Sequence, residues 1–329
     1  MSEAAVAPAP GCPICGRMSV FVDGWSKAST MERMVRALPG CALPPPVPDY
    51  DGLARCSGCE LEFASPLREP GPDFYEWLRM SGFDYPRERW EWGASLEHIR
   101  KLHQGNPLRT RVLDVGCGNG DYLRLLSEQD GVHAVGLDHS PSAVETCNLL
   151  GLEALCGSVS EVGRRYESDF DVVTLWHVVE HVADPVGLLE TSRALLAPSG
   201  SICFSLPLTP MSYEAAWPDP FNEPPHHLTR WNASSLQALA SRLGLKLELI
   251  LPKAESVFSR TAKSLLLQAA PPFRQASRPV KLALLSGWVV RHPWMAVVEL
   301  WGQVRRTRLR GNAMPDVALV LLRNIGAST

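Results

Sequence analysis

Leu113-Asp114-Val115-Gly116-Cys117-Gly118-Asn119-Gly120 ends an apolar run, Arg111–Val115, in alternating glycines and leads into Tyr122, Leu123, Leu125 and Leu126 at helical spacing. Glycines permit a tight strand-to-helix turn and close backbone approach, and the helix N-terminus behind them favours an anion. On the C-terminal side the alternation repeats. His133–Leu137 reads as a strand, Ser140-Pro141 as the N-cap and first turn of a helix closed by Gly151, and Phe170–Leu175 as a strand buried on both faces. Asp184-Pro185 opens a helix through Leu188, Leu189 and Leu196 that stops at Pro198 and Gly200. Ile202–Leu206 is another strand. Leu236, Leu239 and Leu243 mark a helix ended by Gly244, and Leu245–Leu251 and Val317–Leu322 supply the last strands. Short strands separated by helices predict an α/β architecture with a doubly wound, mostly parallel sheet from residue 108 onward.

An acid, Asp138, ends the next strand 22 residues after Gly116, where a carboxylate can accept hydrogen bonds from both hydroxyls of a ribose. Dinucleotide binders use Gly-x-Gly-x-x-Gly, whereas this run is Asp-x-Gly-x-Gly-x-Gly with the acid inside the strand. That pattern resembles motif I of the class I S-adenosylmethionine-dependent methyltransferases. The resemblance implies a Rossmann-like seven-stranded sheet, with Asp114, Gly116, Cys117 and Gly118 holding the methionine part of the cofactor and Asp138 its ribose. Phe170-Asp171-Val172-Val173-Thr174-Leu175-Trp176-His177-Val178-Val179-Glu180-His181-Val182-Ala183-Asp184-Pro185 looks like the fourth-strand signature of the same family. By that resemblance Trp176 and His177 lie at the methionine end. The family often carries an acid after strand three, but this chain has Cys156-Gly157-Ser158, which leaves the adenine contact to the backbone and Ser158.

Cys12-Pro13-Ile14-Cys15-Gly16 and Cys56-Ser57-Gly58-Cys59 form a paired CxxC arrangement. Each knuckle can place two thiolates on one turn, and two complete a tetrahedral Zn²⁺ shell. The 40 residues between them exceed the usual spacing, so the ribbon carries a Pro-rich insertion. Four ligands leave no open position, which points to a structural Zn²⁺ in a lobe too small to fold unaided. The segments Cys12–Gly16 and Cys56–Pro66, followed by Arg89-Trp90-Glu91, resemble zinc-ribbon-bearing methyltransferases of biosynthetic gene clusters. The expected division is a zinc-ribbon lobe at 1–70, a helical linker at 71–107 and the Rossmann-like domain at 108–329.

Four histidines are candidates for the base that methyl transfer to a hydroxyl or carbon acid requires: His177 and His181, and His226 and His227 within Asn222-Glu223-Pro224-Pro225-His226-His227-Leu228. The second pair resembles the segment bordering the acceptor pocket in the same family. His177-Val178-Val179-Glu180-His181 also fits the H-x-x-E-H pattern of a zinc peptidase, but it follows a sheet strand that the methyltransferase pattern explains. Related quinone-pathway O-methyltransferases carry Glu-x-x-Glu-His here and hold a divalent cation; histidine in place of the first acid argues against Mg²⁺, which prefers oxygen ligands.

Residues 255–310 read as a helical insertion with Trp288, Trp294 and Trp301 and then Arg305, Arg306, Arg308 and Arg310. A cap over the domain is the expected role. Peripheral membrane contact through 280–310 is the alternative, disfavoured because Pro271, Pro272, Pro279 and Pro293 interrupt any long interfacial helix.

Across 329 residues, 45% hydrophobic and 20% charged, the formal charge is −3, so bulk charge gives no case for a nucleic-acid partner. No apolar window reaches the length of a membrane span, and the N-terminus lacks the features of a signal peptide. Nine cysteines, an odd number, then point to reduced thiols or metal ligands in a cytoplasmic protein. The expected partner is a small-molecule or carrier-linked substrate. Two other readings compete with a methyltransferase: a catalytically silent scaffold that keeps the cofactor fold, and an NAD-dependent oxidoreductase.

Overall fold

A computed structural model describes residues 10–324 except 39, 41–42, 84–85, 87, 106–109, 164–165, 167–168, 254, 270–276 and 311–314. The N-terminal run 1–9, Pro271, Pro272 and the side chains of Arg308 and Arg310 lie outside the described residues. In chain order come β1 (Ser19–Phe21), α1 (Lys27–Ala37), β2 (Gly52–Cys56), β3 (Glu62–Ser65), α2 (Pro72–Met80) and α3 (Trp90–Gly105). The alternating region follows: β4 (Thr110–Val115), α4 (Asp121–Ser127), β5 (Val132–Asp138), α5 (Pro141–Leu149), β6 (Ala154–Cys156), α6 (Val159–Gly163), β7 (Phe170–Trp176), α7 (Pro185–Ala194) and β8 (Leu196–Pro207). The chain ends with β9 (Thr229–Arg230), α8 (Ala233–Leu243), β10 (Leu245–Ile250), α9 (Val257–Ala269), α10 (Arg278–Arg291), α11 (Pro293–Arg310) and β11 (Val317–Asn324).

The large sheet has seven strands in the order β10-β11-β8-β7-β4-β5-β6, as the α/β reading requires. Strands β8, β7, β4, β5 and β6 run parallel, while β11 and β10 are antiparallel to their neighbours. The order reverses at β4, so the loops leaving β4 and β7 open at the switch point where such sheets bind ligands. The central strands read as continuous apolar runs because both faces are covered. Leu113, Val173, Leu175, Phe204 and Val320 join one buried cluster, and Val112, Val172, Cys203, Leu319 and Leu321 join the other.

Local signals set the helix ends. Ser140 Oγ accepts from the Ala143 amide, Asp184 Oδ1 from the Gly187 amide, and Asn232 and Ser235 cap each other reciprocally. Gly244 closes α8 in the left-handed region at φ 63°. One boundary differs from the sequence reading: α7 ends at Ala194 rather than running through Leu196. The Leu195 carbonyl instead accepts from the Asp169 and Phe170 amides, and Leu196 pairs with Phe170, so strand pairing overrides the apolar helical stripe.

A second, four-stranded antiparallel sheet has the order β1-β2-β3-β9. Its last member comes from far along the chain: Glu62 pairs with Arg230 and Phe63 with Thr229. The buried Arg230 guanidinium is held between the carboxylates of Glu62 and Glu214. Helices α9, α10 and α11 form the insertion before β11. Gln303 donates to the Ser212 carbonyl at 2.8 Å, which ties the insertion to the loop after β8, and Lys263 pairs with Asp316 just before β11. Trp294 and Trp301 are exposed and Trp288 is half-buried. Among the described residues no helix is long and apolar enough to cross a membrane.

Candidate functional site

Between β4 and α4 the chain turns through Gly116, Gly118 and Gly120, all at positive φ (74°, 52° and 84°), which L side chains rarely adopt. The Gly116 and Cys117 amides both donate to the Leu137 carbonyl, at 2.7 and 3.1 Å, and so fasten the turn to the end of β5. A Cβ on Gly116 would fall 2.7 Å from Cγ2 of Val178, in the loop after β7; at Gly118 it would meet nothing within 4 Å. The glycines thus serve two ends. Gly116 lets the β7 loop approach, and Gly118 leaves open space above the turn.

Asp138 ends β5 beside this turn. Its Oδ2 accepts from the Gly118 amide at 2.9 Å and its Oδ1 from the Ser140 amide at 2.8 Å, so the carboxylate shapes the loop and retains lone pairs for further donors. Asp114 is 1% exposed. Its Oδ1 accepts from the Thr174 hydroxyl at 2.7 Å, and its Oδ2 has no partner among the described residues. Burial pushes the Asp114 carboxyl up to about 7, the Thr174 hydrogen bond opposing and the nearby Asp138 adding to the rise. A buried carboxylate oxygen left without a donor, beside an open glycine turn, fits a cationic or N–H-bearing ligand group. Cys117 is buried, with its thiol pushed up by burial. Ser158 is engaged by Glu161, whose Oε2 accepts from its amide and hydroxyl; the adjacent Gly157 amide donates to the Asp138 carbonyl, keeping this turn at the same edge. Trp176 is buried edge-on to Tyr122 at 4.8 Å, and its indole N–H has no partner among the described residues.

The four histidines separate. His177 sits at φ 53°, outside the usual range for a residue with a side chain, and its amide donates to the Ser205 carbonyl. Its ring lies between two buried carboxylates, with Nδ1 3.1 Å from Glu180 and Nε2 3.3 Å from Glu91 on α3. Burial works against a charged imidazole here, but the two carboxylates outweigh it and raise its pKa. A proton held on both sides leaves little capacity to accept another. Glu91 and Glu180 are the residues that sequence reasoning passed over. Glu91 stood inside a quoted segment with no role, and its pairing with His177 spans 86 residues of chain.

His181, His226 and His227 come together. Ring centroids lie 4.6 Å apart for His181 and His226, 4.7 Å for His181 and His227, and 4.6 Å for the stacked His226–His227 pair. Each Nδ1 faces an oxygen acceptor: the His226 carbonyl for His181 (2.6 Å), the Phe221 carbonyl for His226 (2.8 Å) and the Asn222 side chain for His227 (2.9 Å). Burial lowers the pKa of His181, against the attraction of Glu180. Phe74, Tyr75, Phe83 and Phe221 surround His226.

Between the segment before β1 and the β2–β3 turn of the small sheet, the sulfur atoms of Cys12, Cys15, Cys56 and Cys59 all lie within 4.8 Å of one another. Cys12 and Cys59 are 3.6 Å apart and Cys15 and Cys56 3.4 Å. Zn–S bonds of about 2.3 Å give tetrahedral S···S edges of about 3.8 Å, so the four fit a Zn²⁺ shell with little movement. The Ile14 amide points at Cys12 Sγ, and the Gly58 and Cys59 amides at Cys56 Sγ, at 3.3 to 3.4 Å. Burial opposes ionisation of Cys56, but those amides and the neighbouring thiols bring it down to about 7.

Residues 75–250 match the family model described as a methyltransferase domain. Among curated proteins, the chain is 31% identical over 154 residues to the ubiquinone biosynthesis O-methyltransferase of Neisseria meningitidis serogroup A, covering 41% of this chain and 64% of that one. It is 33% identical over 141 residues to the protein of the same name from Hahella chejuensis, covering 37% and 58%. The matched region thus spans less than two thirds of the length of these relatives. A solved S-adenosylmethionine-dependent methyltransferase from Archaeoglobus fulgidus superposes with a TM-score of 0.44 at 18% identity, covering 76% of this chain and all of that one.

Proposed function

The chain belongs to the methyltransferase domain family, and from that premise we propose that it transfers a methyl group from S-adenosylmethionine to an oxygen or carbon acceptor. The acceptor is a small biosynthetic metabolite or a carrier-linked sugar or lipid-like intermediate. The observation that carries this reading is the glycine turn at the switch point, open above Gly118, with the Asp138 carboxylate bound to it and a buried Asp114 oxygen that has no partner among the described residues. When bound, the cofactor supplies a methyl group on a sulfonium, which is already a good leaving group. Asp138 would accept the ribose hydroxyls, and Asp114 with the backbone at Gly116, Cys117 and Gly118 would hold the amino-acid end. By the family resemblance Ser158 would meet the adenine edge, and Trp176 would back the methionine side. His177, clamped by Glu91 and Glu180, orients the β7 loop rather than moving a proton.

The acceptor end falls to His181, His226 and His227. Each Nδ1 faces an oxygen acceptor, so Nε2 would be the nitrogen that serves as base. A neutral imidazole there can take the proton of a hydroxyl or carbon acid while the sheet edge holds the reactants in line. The four-cysteine cluster would hold a structural Zn²⁺ that closes the small sheet. Calorimetry with S-adenosylhomocysteine tests the main proposal. Saturable one-to-one binding supports it, and binding of NAD with none of S-adenosylhomocysteine sinks it.

A further inference from the structure

We infer that His181, His226 and His227 form a second metal site, for a divalent transition ion such as Zn²⁺, distinct from the four-cysteine cluster. One ring nitrogen from each histidine lies within 4.8 Å of the other two. Their tautomers agree: every Nδ1 faces a carbonyl-type oxygen, two from the backbone and one from the Asn222 amide. A ligating histidine is oriented in this manner, its other N–H donated to an oxygen that fixes the ring and raises the basicity of the free nitrogen. One further feature favours a cation. Glu180 is fully buried next to His181; its Oε1 pairs with His177, and its Oε2 has no partner among the described residues, which leaves a carboxylate oxygen available to a positive charge.

The donor set decides the metal. Three neutral nitrogens suit Zn²⁺ and its neighbours and do not suit Mg²⁺. A tetrahedral shell with Zn–N bonds of about 2.1 Å needs N···N edges of about 3.4 Å, so the rings close by no more than about 1.5 Å on binding. This ligand set differs from a Glu-x-x-Glu-His site, because His177 and Glu180 are bound to each other and His177 also to Glu91. Three protein ligands leave a position open for an oxygen. On the methyltransferase reading above, that oxygen belongs to an acceptor hydroxyl, which would bind the ion and release its proton to solvent, the ion taking the place of the imidazole base because ligation occupies the ring lone pairs.

Metal content tests the site without reference to methyl transfer. Full-length protein loaded with Zn²⁺ and dialysed free of excess should hold two zinc ions per chain. H181Q, H226Q and H227Q should each hold one, with unchanged far-ultraviolet circular dichroism. Co²⁺ loading gives a readout on the unmutated protein: one equivalent should show thiolate-to-metal charge transfer, and a second should add only ligand-field bands. One metal per chain in the unmutated protein overturns the inference, and so does a second equivalent that carries charge transfer or survives all three substitutions. S-adenosylhomocysteine binding, measured separately, reports on the methyltransferase reading, so either can fail alone.

Discussion

Alanine at Gly116 and alanine at Gly118 should do different things, although the two positions stand two residues apart in one turn. Both replace a residue at positive φ, 74° and 52°, and a left-handed conformation costs an L residue about 1–2 kcal/mol. At Gly118 nothing else is added, since the new methyl meets no atom within 4 Å. At Gly116 it lands 2.7 Å from Val178 Cγ2, about 1 Å inside an ordinary carbon contact, and overpacking of that kind costs about 1–3 kcal/mol more. The sums are about 2–5 kcal/mol for Gly116→Ala and about 1–2 kcal/mol for Gly118→Ala. Adding Val178→Ala should return part of the loss at Gly116 and none at Gly118. Urea unfolding followed by tryptophan fluorescence measures the stabilities, and calorimetry on the folded variants measures affinity for S-adenosylhomocysteine. The proposed function puts the cofactor in the open space above Gly118, so Gly118→Ala should weaken that affinity at least tenfold, about 1.4 kcal/mol, despite its milder effect on stability. The reasoning fails if Gly118→Ala binds S-adenosylhomocysteine as tightly as the parent, or if Gly116→Ala is no less stable than Gly118→Ala.

Asp138→Ala removes both the proposed ribose acceptor and the partner of the Gly118 and Ser140 amides; calorimetry should find S-adenosylhomocysteine affinity reduced by about a hundredfold or more. Asp114 has a pKa of about 7 in the folded chain against an ordinary 3.8, so the native state binds the extra proton between those values and stability falls as pH rises through that window. The full penalty above pH 7 is about 4 kcal/mol, and Asp114→Asn should flatten that part of a stability–pH curve; an unchanged slope would contradict the assignment. His177→Gln strips the proton-bearing ring from between Glu91 and Glu180, and removing one partner of a buried charged group costs about 3–5 kcal/mol, readable as a lowered urea midpoint. Cys59→Ser should lower zinc content by one equivalent, and a retained full complement would refute the four-cysteine assignment.

The large sheet was readable from residues because its central strands are apolar on both faces and its helices carry local caps at Ser140, Asp184 and Gly244. Those signals act within a few residues, so order along the chain reports them. The α7 end was misjudged because the Leu195 carbonyl answers to Asp169 and Phe170, not to its own helix. The small sheet escaped for a related reason: β9 is two residues long and pairs with β3 across more than half the chain. The glycine turn and Asp138 could be placed together from spacing alone. The histidines could be picked out by type, but their separation into one clamped ring and one cluster of three depends on Glu91 and on carbonyls of the 221–226 loop. No pattern along the chain encodes those contacts.

The short strand β9 gives the N-terminal lobe a say in what happens at the histidines. Two residues after His227 the backbone pairs with β3 a few residues beyond Cys59, and Arg33 and Thr30 of α1 bind Glu223. The loop bearing His226 and His227 is therefore held at both ends by the N-terminal segment, at Glu223 by α1 and at Thr229 by β3. Thiol oxidation or metal loss at the cysteine end would slacken one anchor and let the ring pair drift, while Gly116, Gly118 and Asp138 stay in place on the large sheet. On the proposed function, a chain damaged in this manner would still bind S-adenosylhomocysteine and yet turn over its acceptor poorly.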